Sequence, residues 1–570
     1  MIQVEPIQAF NGFGSGKTQL TAAYTQAGSP GEHFYSHGMQ RSQFGIAPKL
    51  SIATAVTNAD LGNLQLINWF SQGQFSGNKY VYGFGENGRL YKASAGNTVW
   101  TEERTVGISS HGNGMIFDQT NRLLYANDQY LGKTTDGSTF TDNWKDFTIT
   151  TTDLRPMDTY EDWVVIGNQY QIALLNVTDD SFNANALNLP TGFNIRCIKS
   201  GKNGILIGAN FNNRGALILW DAFSIRSIAP WIWRTRNIQS ITPTDDGWIV
   251  ITQNEIFLTD GYSVQPILPD FPDYLQNDLS IINDILPQGA EVQGNNLLFL
   301  GRSNRYNRQK AGLYRLNLTT KLLDFIPIPN GVTFNAFGGA IFSDNGNFTH
   351  LSFKSTLPDT KLIGVLSNSP IAHPYLISEP LGQTDNEKVA EGVKLTFGVS
   401  SYQPTTTDIT FDVLVKVCNA RRNIFGRGQT RAVSTSADVL KIDGSIAEAN
   451  GMNKAQVGDE VTILEGINAG QVRHILSIAN QGTNTETWTL DSVLPNMTET
   501  LVNMNVSPFK LAKKFTLSNV SELIELFFDV QNRIKGKKFF VKILLENLPA
   551  GFMPELKGGQ FIFDDLGIKR

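Results

Sequence analysis

The chain has 570 residues, of which 41% are hydrophobic and 17% are charged, and its formal net charge is -5. A chain of this length suits two or three domains, and so small a net charge gives no global reason to expect nucleic acid or an anionic membrane as a partner. No run of 18 apolar residues predicts a membrane span, and the first ten residues lack the basic start and apolar block of a secretory signal. We therefore expect a protein made in a cytoplasm.

The first 42 residues hold few apolar side chains among many Gly, Gln and Ser. We predict an extended arm over residues 1–42 that lies against a neighbouring subunit, because such a segment alone could not offset its ordering entropy. Within it, FNGFGSGKTQL is similar to a phosphate-binding loop, but Asn11 stands where the motif needs its first glycine, so we expect no nucleotide site. His33 and His37 have the spacing of a zinc pair, but the flanking glycines disfavour the helix that this spacing needs, so we expect no metal site.

A repeat of apolar strand pairs follows, with starts at positions 80, 115, 163, 205, 248, 297 and 340. Steps of about 40 to 50 residues built from short strands are typical of β-propeller blades, and the alternative of two stacked sandwiches predicts no regular step. The sequence therefore predicts an all-β fold with a β-propeller over residues 43–380, and seven blades are the natural count. KLSIATAV, at 49–56, is expected to complete the last blade.

One hairpin inside the repeat, KTTDGSTFTDNW at 133–144, is similar to the Asp-box of sialidases and related propellers. The resemblance implies a turn capped by Asp136. Gly137 follows Asp136 directly, and Phe140 stands where Trp is commoner, which departs from the Asp-box pattern. The box is architectural, so it supports a propeller and gives little support to glycan hydrolysis.

Other candidate chemical groups have structural interpretations. The acidic pairs at 179–180 and 245–246 lie at strand ends, where capping of turns is expected. Cys197 and Cys418 lie in apolar runs, which predicts free buried thiols. We predict no catalytic residues, no metal and no cofactor.

The period stops after about residue 380, and the strands lengthen. Residues 381–423 and 509–570 predict a discontinuous β-sandwich, in which SELIELFFDV is expected to be a strand. Residues 424–508 predict a small β-barrel inserted between the two halves, because an insertion at a loop tip is tolerated when its ends stay close together.

Within the insertion, VGDEVTILEGINAGQVRHILSI followed by TETWTLDSVLP resembles a small β-barrel module of bacteriophage virion and tail proteins. Arg473 and Ile475 are expected to share one face of a strand, opposite His474. NMTET replaces the Asp-Ala-Thr-Ser turn that often closes the module. The resemblance implies a phage origin and does not name a position on the particle. The matching positions are Gly458, Val461, Ile463, Gly466, Ala469, Gly470, Gln471, Arg473 and Ile475, followed by Thr487, Leu490, Asp491 and Pro495.

Two basic patches, each with an aromatic residue, are candidate interaction sites. Their alternative interpretation is an exposed hairpin kept soluble by charge. If they bind, an acidic protein neighbour is expected ahead of nucleic acid, and an acidic glycan is a further option. The first patch comprises Arg302, Arg305, Tyr306, Arg308 and Lys310, and the second comprises Arg421, Arg422, Phe425, Arg427 and Arg431.

These features together favour a structural and interaction protein of a bacteriophage particle, located in the virion. A tail or neck role as a nozzle, adhesin or decoration protein fits, with other copies of the chain, neighbouring virion proteins and a host-surface glycan as expected partners. Two alternatives remain open. One is a glycan-binding or sialidase-like propeller hydrolase, and the other is a cytoplasmic propeller scaffold.

Overall fold

The fold was analysed in a computed structural model of the chain, in which strands are the only regular elements of the residues described. The chain divides into two compact units. The first consists of Ile52–Ile328 and Val332–Leu366, and the second of Met1–Ser51, Pro329–Gly331 and Ser367–Arg570. The described residues are 2–6, 35–37, 39–41, 46–48, 50–106, 110–222, 232–234, 236–253, 255–268, 285–303, 310–319, 323–327, 334–344, 348–357, 359–370, 375–378, 381, 386–398, 410–419, 424–433, 436–442, 455–463, 468, 471–494, 501–507, 509–518, 524–530, 534–537, 539–549 and 554–565.

The first five strands in chain order belong to different sheets. They are β1 (Ile2–Pro6), β2 (Tyr35–His37), β3 (Met39–Arg41), β4 (Ile46–Pro48) and β5 (Leu50–Thr57).

The next strands form six four-stranded antiparallel sheets, each built from four consecutive strands. Sheets one to three are β6 (Ile67–Phe75), β7 (Asn78–Gly85), β8 (Arg89–Ser94) and β9 (Thr101–Thr105); β10 (Gly114–Phe117), β11 (Leu123–Ala126), β12 (Tyr130–Thr134) and β13 (Phe140–Asp146); and β14 (Met157–Tyr160), β15 (Trp163–Asn168), β16 (Gln171–Asn176) and β17 (Phe182–Asn188). Sheets four to six are β18 (Asn194–Gly201), β19 (Gly204–Phe211), β20 (Arg214–Trp220) and β21 (Ile232–Arg234); β22 (Ile238–Thr244), β23 (Gly247–Thr252), β24 (Ile256–Thr259) and β25 (Val264–Leu268); and β26 (Ala290–Gln293), β27 (Asn296–Ser303), β28 (Lys310–Asn317) and β29 (Leu323–Pro327).

The seventh sheet combines β30 (Phe334–Ser343), β31 (Thr349–Leu357) and β32 (Asp359–Pro370) with β5 as its fourth strand. This pairing confirms that KLSIATAV completes the last sheet. The first strands of successive sheets contact one another, and β30 of the seventh sheet contacts β6 of the first. Contacts that return to their starting sheet are those of a β-propeller, so the predicted all-β propeller is confirmed. Among the described residues its sheets match the seven sequence repeats in number.

Burial explains why the propeller strands are apolar at successive positions. In β15, Val164, Val165 and Ile166 are all inaccessible to solvent, although neighbouring side chains of a strand point to opposite faces. Val164 and Ile166 pack in one core cluster with β11, whereas Val165 packs in another with β18 and β19. Each sheet is therefore buried on both faces by its neighbours.

The second unit contains a β-sandwich whose two sheets enclose one apolar core. One sheet has the order β3-β4-β46-β34-β43, with β1 also paired to β46 and β44 to β34, and the other has the order β2-β33-β45-β35-β42. The strand predicted in SELIELFFDV is confirmed as β43. The additional strands are β33 (Tyr375–Ile377), β34 (Lys388–Gly398), β35 (Thr410–Asn419), β42 (Lys510–Ser518), β43 (Ile524–Asp529), β44 (Lys535–Gly536), β45 (Phe539–Glu546) and β46 (Glu555–Asp565).

The sandwich draws on more of the chain than the two segments predicted for it. Strands β1 to β4 and β33 lie in its sheets, although they fall within segments assigned from sequence to the arm and the propeller. The described parts of residues 1–42 are thus paired with sandwich strands of the same chain, where we had expected an arm against a neighbouring subunit. Short strands give little local signal, and their pairing depends on the edges of strands that lie elsewhere in the chain.

The insertion between β35 and β42 forms a closed barrel of six strands in the order β36-β37-β40-β39-β38-β41. Its core contains Val461, Ile463, Ile475 and Leu490, four of the positions that match the phage module. Ile475 is buried whereas His474 is exposed, which agrees with the predicted orientation of this strand. The strands are β36 (Ile424–Val433), β37 (Ser436–Ile442), β38 (Glu460–Ile463), β39 (Val472–Ala479), β40 (Thr487–Leu490) and β41 (Leu501–Ser507).

Candidate interaction sites

The first basic patch maps to the hairpin between β27 and β28 of the sixth propeller sheet. Arg302 is paired with Ala311, and Lys310 with Ser303, so both residues stand at the hairpin end of their strands. The other members, Arg305, Tyr306 and Arg308, lie outside the described residues. The partner of this patch remains a prediction.

The second basic patch maps to β36 of the barrel. Phe425, Arg427 and Arg431 are positions of this strand. Arg421 and Arg422 lie outside the described residues, and the partner of this patch remains a prediction.

A buried charge cluster joins the barrel to the sandwich. The Glu460 carboxylate, on β38, accepts hydrogen bonds from Lys416 Nζ at 2.6 Å and from Lys542 Nζ at 3.0 Å. Lys542 Nζ also donates to Thr462 Oγ1 at 2.7 Å. The side chains of Glu460 and Lys542 are at most 1% exposed. Two cations on neighbouring sandwich strands thus meet one barrel carboxylate away from water.

Burial and charge act in opposite directions on these groups. Burial raises the pKa of Glu460, but the two ammonium groups outweigh it and hold that pKa below its usual value. Burial lowers the pKa of Lys542, and Glu460 offsets this only in part. The carboxylate therefore stays ionised because of Lys416 and Lys542, so the cluster works as a fixed contact between the two modules.

Two Asp-Gly turns hold the hairpins between third and fourth propeller strands. Asp136 Oδ1 accepts the backbone N–H groups of Ser138 at 2.8 Å and Thr139 at 2.7 Å, which lowers the pKa of Asp136. Asp260 Oδ1 accepts those of Tyr262 and Ser263 in the same way. The second turn, in LTDGYSV, was missed by the sequence reasoning, although its Asp-Gly-x-Ser pattern parallels the Asp-Gly-Ser-Thr of the first. Both turns are architectural, as the resemblance to the Asp-box implied.

Hairpins between the third and fourth strands of three sheets contact the first turn of the preceding sheet. Asn203 Nδ2 donates to the Asp260 carbonyl at 3.1 Å, which links the fourth sheet to the fifth. The Gly96 N–H donates to Asp344 Oδ2 at 2.9 Å, which links the seventh to the first. Arg122 forms an ion pair with Asp180, which links the second to the third. Hydrogen bonds and an ion pair at corresponding positions thus connect these successive sheets.

The Arg122–Asp180 link includes the most cation-rich aromatic site in the described part of the propeller. Lys133 Nζ lies 3.8 Å and Lys145 Nζ 4.9 Å from the centre of the Trp144 ring, and Arg122 is close to the same ring. Lys133 Nζ is 3.3 Å from the Asp180 carboxylate, and Lys145 donates to the Asp180 carbonyl. The sequence reasoning assigned Asp180 to turn capping and missed this link, because its partners lie 35 to 58 positions away.

The axial region of the propeller is crossed at one end by residues 285–289. Both amide atoms of Gln288 bond the backbone of Phe70, with distances of 2.7 Å and 2.8 Å. A segment bonded to the first strands of four sheets must pass across the axis. Its partners are Phe70 on β6, Arg196 on β18, Ser240 on β22 and Ile341 on β30.

Two carboxylates lie on the axial strands. Burial raises the pKa of Glu291, whose Oε2 accepts a hydrogen bond from Ser343 Oγ at 3.1 Å, and Lys199 acts in the opposite direction. Asp158 accepts the backbone N–H of Ser200 on the next sheet at 2.6 Å. The raised pKa of Glu291 suits a proton donor. Hydrolysis by a pair of carboxyl groups needs both groups at one substrate, whereas the Asp158 carboxylate is hydrogen-bonded to the next sheet.

The remaining candidates take structural places. Asp179 Oδ1 caps its turn by accepting the Ser181 N–H at 2.8 Å, as predicted, and the 245–246 pair forms the turn between β22 and β23. Cys197 and Cys418 are buried and are not joined in a disulfide, also as predicted. His37 lies on strand β2, and His33 lies outside the described residues. In the part of the chain described, no group of three or more potential metal-ligating side chains comes together, and no helix could cross a bilayer.

Comparisons with known proteins identify no family. No family model matches the chain, and no curated protein does. Among solved structures, the extracellular domains of a one-component and a hybrid two-component system from B. thetaiotaomicron both have a TM-score of 0.38, at 14% and 13% identity, over 58% and 71% of this chain. The chain spans less than half of those structures, at 41% and 46%. A calcium-binding regucalcin from Agrobacterium tumefaciens has a TM-score of 0.32 at 10% identity, over 49% of this chain and 92% of its own.

Proposed function

We propose that the chain is a structural and interaction protein of a bacteriophage particle, in the tail or neck, that acts by protein-protein assembly without catalysis. The observation that carries the proposal is the inserted barrel. Its motif residues Val461, Ile463, Ile475 and Leu490 lie in the core of a closed six-stranded barrel, and a small β-barrel is what the sequence resemblance to phage virion modules implies.

The outer features of the barrel support a role in contacts. Arg473 reaches across to the carbonyls of Ser492 and Val493, at 3.2 Å and 2.8 Å, and so fixes the turn that follows β40. The buried cluster around Glu460 also holds the barrel to the sandwich. A barrel with a fixed turn and a fixed attachment suits the presentation of a surface to neighbouring subunits.

Detection of the protein in particles tests the proposal. Phage particles released from the source organism after DNA damage would be banded by density and analysed by peptide mass spectrometry, with immunogold labelling against the purified chain. We expect its peptides in the banded particles and label at the tail or neck. Peptides that stay in the cell fraction while known capsid and tail peptides band would contradict the proposal.

A glycan-binding propeller is a second candidate, favoured by an aromatic group on the fourth sheet. Trp233 is 49% exposed, and its ring centre lies 5.9 Å from that of Phe193, which stacks on Phe211 at 5.1 Å. An exposed indole supported by other rings can stack on a sugar face. Binding of the purified chain to a glycan array, lost in Trp233→Ala and kept in Tyr262→Ala, would support this candidate, since Tyr262 is 56% exposed on the next sheet.

A further inference from the structure

Strand β46 is shared by three neighbours, and one of its edges is covered in two pieces. β34 pairs with it along Glu555–Asp565, which occupies one edge over the full length of the strand. On the other edge, β4 pairs at Leu556, and β1 pairs from Gln560 to Asp564. Among the described strands, β1 is the one that pairs with this half of the edge.

The covered half of β46 needs a partner strand. Phe561 and Phe563 are buried in the sandwich core, at 0% and 4% exposure, and Ile562 lies between them. An apolar strand whose N–H and C=O groups are unpaired readily accepts a strand from another chain. β1 supplies those bonds over five residue pairs, from Ile2 with Asp564 to Pro6 with Gln560.

A long linker joins β1 to the rest of its own chain. Positions 7 to 34 separate β1 from β2, and their sequence is rich in Gly, Ser, Gln and Thr. At ~3.3 Å per residue, a segment of this length spans at most about 90 Å. Among the described elements, β46 is the one with which β1 makes extensive contact. Neither the linker length nor a second contact therefore restricts β1 to the β46 of its own chain.

We propose that β1 is an exchangeable strand, and that β46 of one copy of this chain accepts β1 of a second copy in the same register. This proposal rests on the proposed function, because a phage particle would hold copies of the chain side by side. The pairing is identical within and between chains, so the balance depends on concentration. Covalent linkage to the same chain corresponds to an effective concentration of the order of 1 mM, and neighbouring copies in an assembly can match it.

Cysteine trapping on the purified full chain tests the exchange. Val4 and Ile562 are register partners, so a mass-tagged Val4→Cys chain is mixed with an untagged Ile562→Cys chain and oxidised. A hetero-disulfide in this mixture requires β1 of one copy on β46 of the other. The matched control replaces Val4→Cys with Glu5→Cys, which places the thiol on the opposite face of β1. The unsubstituted chain controls for Cys197 and Cys418.

We expect the Val4→Cys and Ile562→Cys mixture to form the hetero-disulfide at a rate that rises with chain concentration, and the Glu5→Cys mixture to stay at background. In a chain that carries both Val4→Cys and Ile562→Cys, rapid oxidation at ~0.1 mM should give about one intermolecular bond for every ten intramolecular ones. Hetero-disulfide no higher than the control would overturn the proposal, whether or not the double variant closes within the chain. Exchange by a chain that is absent from particles would refute the phage assignment alone.

Discussion

Glu460→Gln is the substitution for which the structure gives the sharpest expectation. The carboxylate at this position faces Lys416 Nζ at 2.6 Å and Lys542 Nζ at 3.0 Å, and the Lys542 side chain is 0% exposed. A neutral amide would remove the negative charge that both ammonium groups contact, while Thr462 Oγ1 would still accept a hydrogen bond from Lys542. Removal of one partner from a buried ion pair typically costs about 3–5 kcal/mol. We expect a loss of this size in the stability of the barrel and sandwich.

Hydrogen exchange measured by mass spectrometry reports this loss locally. Amides of β38 and β45 should exchange faster in Glu460→Gln, by an amount equivalent to about 3–5 kcal/mol, while those of β15 in the propeller stay unchanged. Glu525→Gln is the matched control, because Glu525 pairs with Lys394 at 2.8 Å but both side chains are substantially exposed, at 55% and 37%. An exposed pair is worth under about 1 kcal/mol.

A triple variant separates charge from packing. Lys416→Met, Glu460→Leu and Lys542→Met together remove all three charges, and replacement of a whole buried cluster by apolar side chains is often neutral or stabilising. We expect this variant to recover most of the stability lost by Glu460→Gln. Because Glu460 has a lowered pKa, its stabilisation is full above pH ~4.5 and is lost as the pH falls through its folded value. If Glu460→Gln exchanges no faster than Glu525→Gln, the cluster is not the fastening that we infer.

Three further perturbations test other parts of the fold. Burial lowers the pKa of His350 despite its contact with Asp344, so the unfolded chain binds a proton at higher pH than the folded chain does. The melting temperature should therefore fall as the pH drops below about 6.5, and His350→Gln should remove this dependence of the melting temperature on pH. Gly247→Ala should lower the free energy of unfolding by about 1–3 kcal/mol, because φ is 139° and a Cβ would lie 2.2 Å from the Thr259 carbonyl oxygen. Gly294→Ala should cost about 1 kcal/mol, because φ is 53° and a Cβ there would have no atom within 4 Å, and melting curves of the two variants test the difference. Replacement of residues 424–507 by a short turn should leave the sandwich folded, with hydrogen exchange in β34 and β46 unchanged, because the Lys542 ammonium would exchange its contacts with Glu460 and Thr462 for water.

The propeller could be predicted from sequence because its signal is local and repeated. Strands such as β15 and β19 are apolar at consecutive positions, and turns follow at regular steps. The closing strand β5 was also predictable, since it is an apolar run with no repeat partner beside it in the sequence. The ion pair between Arg122 and Asp180 was not, because the two residues are 58 positions apart and only the packing of two sheets brings them together.

The buried charge cluster around Glu460 could not be predicted from sequence for the same reason. The sequence analysis assigned no role to Glu460, and the alternation of β38 would have assigned it to a polar face. Its partners are 44 and 82 positions away, on strands whose register with the barrel no local pattern specifies. The strands of the first 42 residues were missed for a related reason. Their pairing is set by the open edges of β46, β33 and β4, and not by their own composition.

The register of the sandwich explains why the Glu460 cluster matters for the orientation of the barrel. The chain leaves the sandwich after β35 and returns at β42, and Val417 is paired with Lys510 there, so the two crossings lie on adjacent strands. A module held only by two neighbouring crossings can turn about the line that joins them. Lys542 lies on β45, on the other side of β35, where it is paired with Lys416. Its bond to Glu460 adds a third attachment about one strand spacing, ~4.8 Å, beyond that line, and so opposes rotation of the barrel.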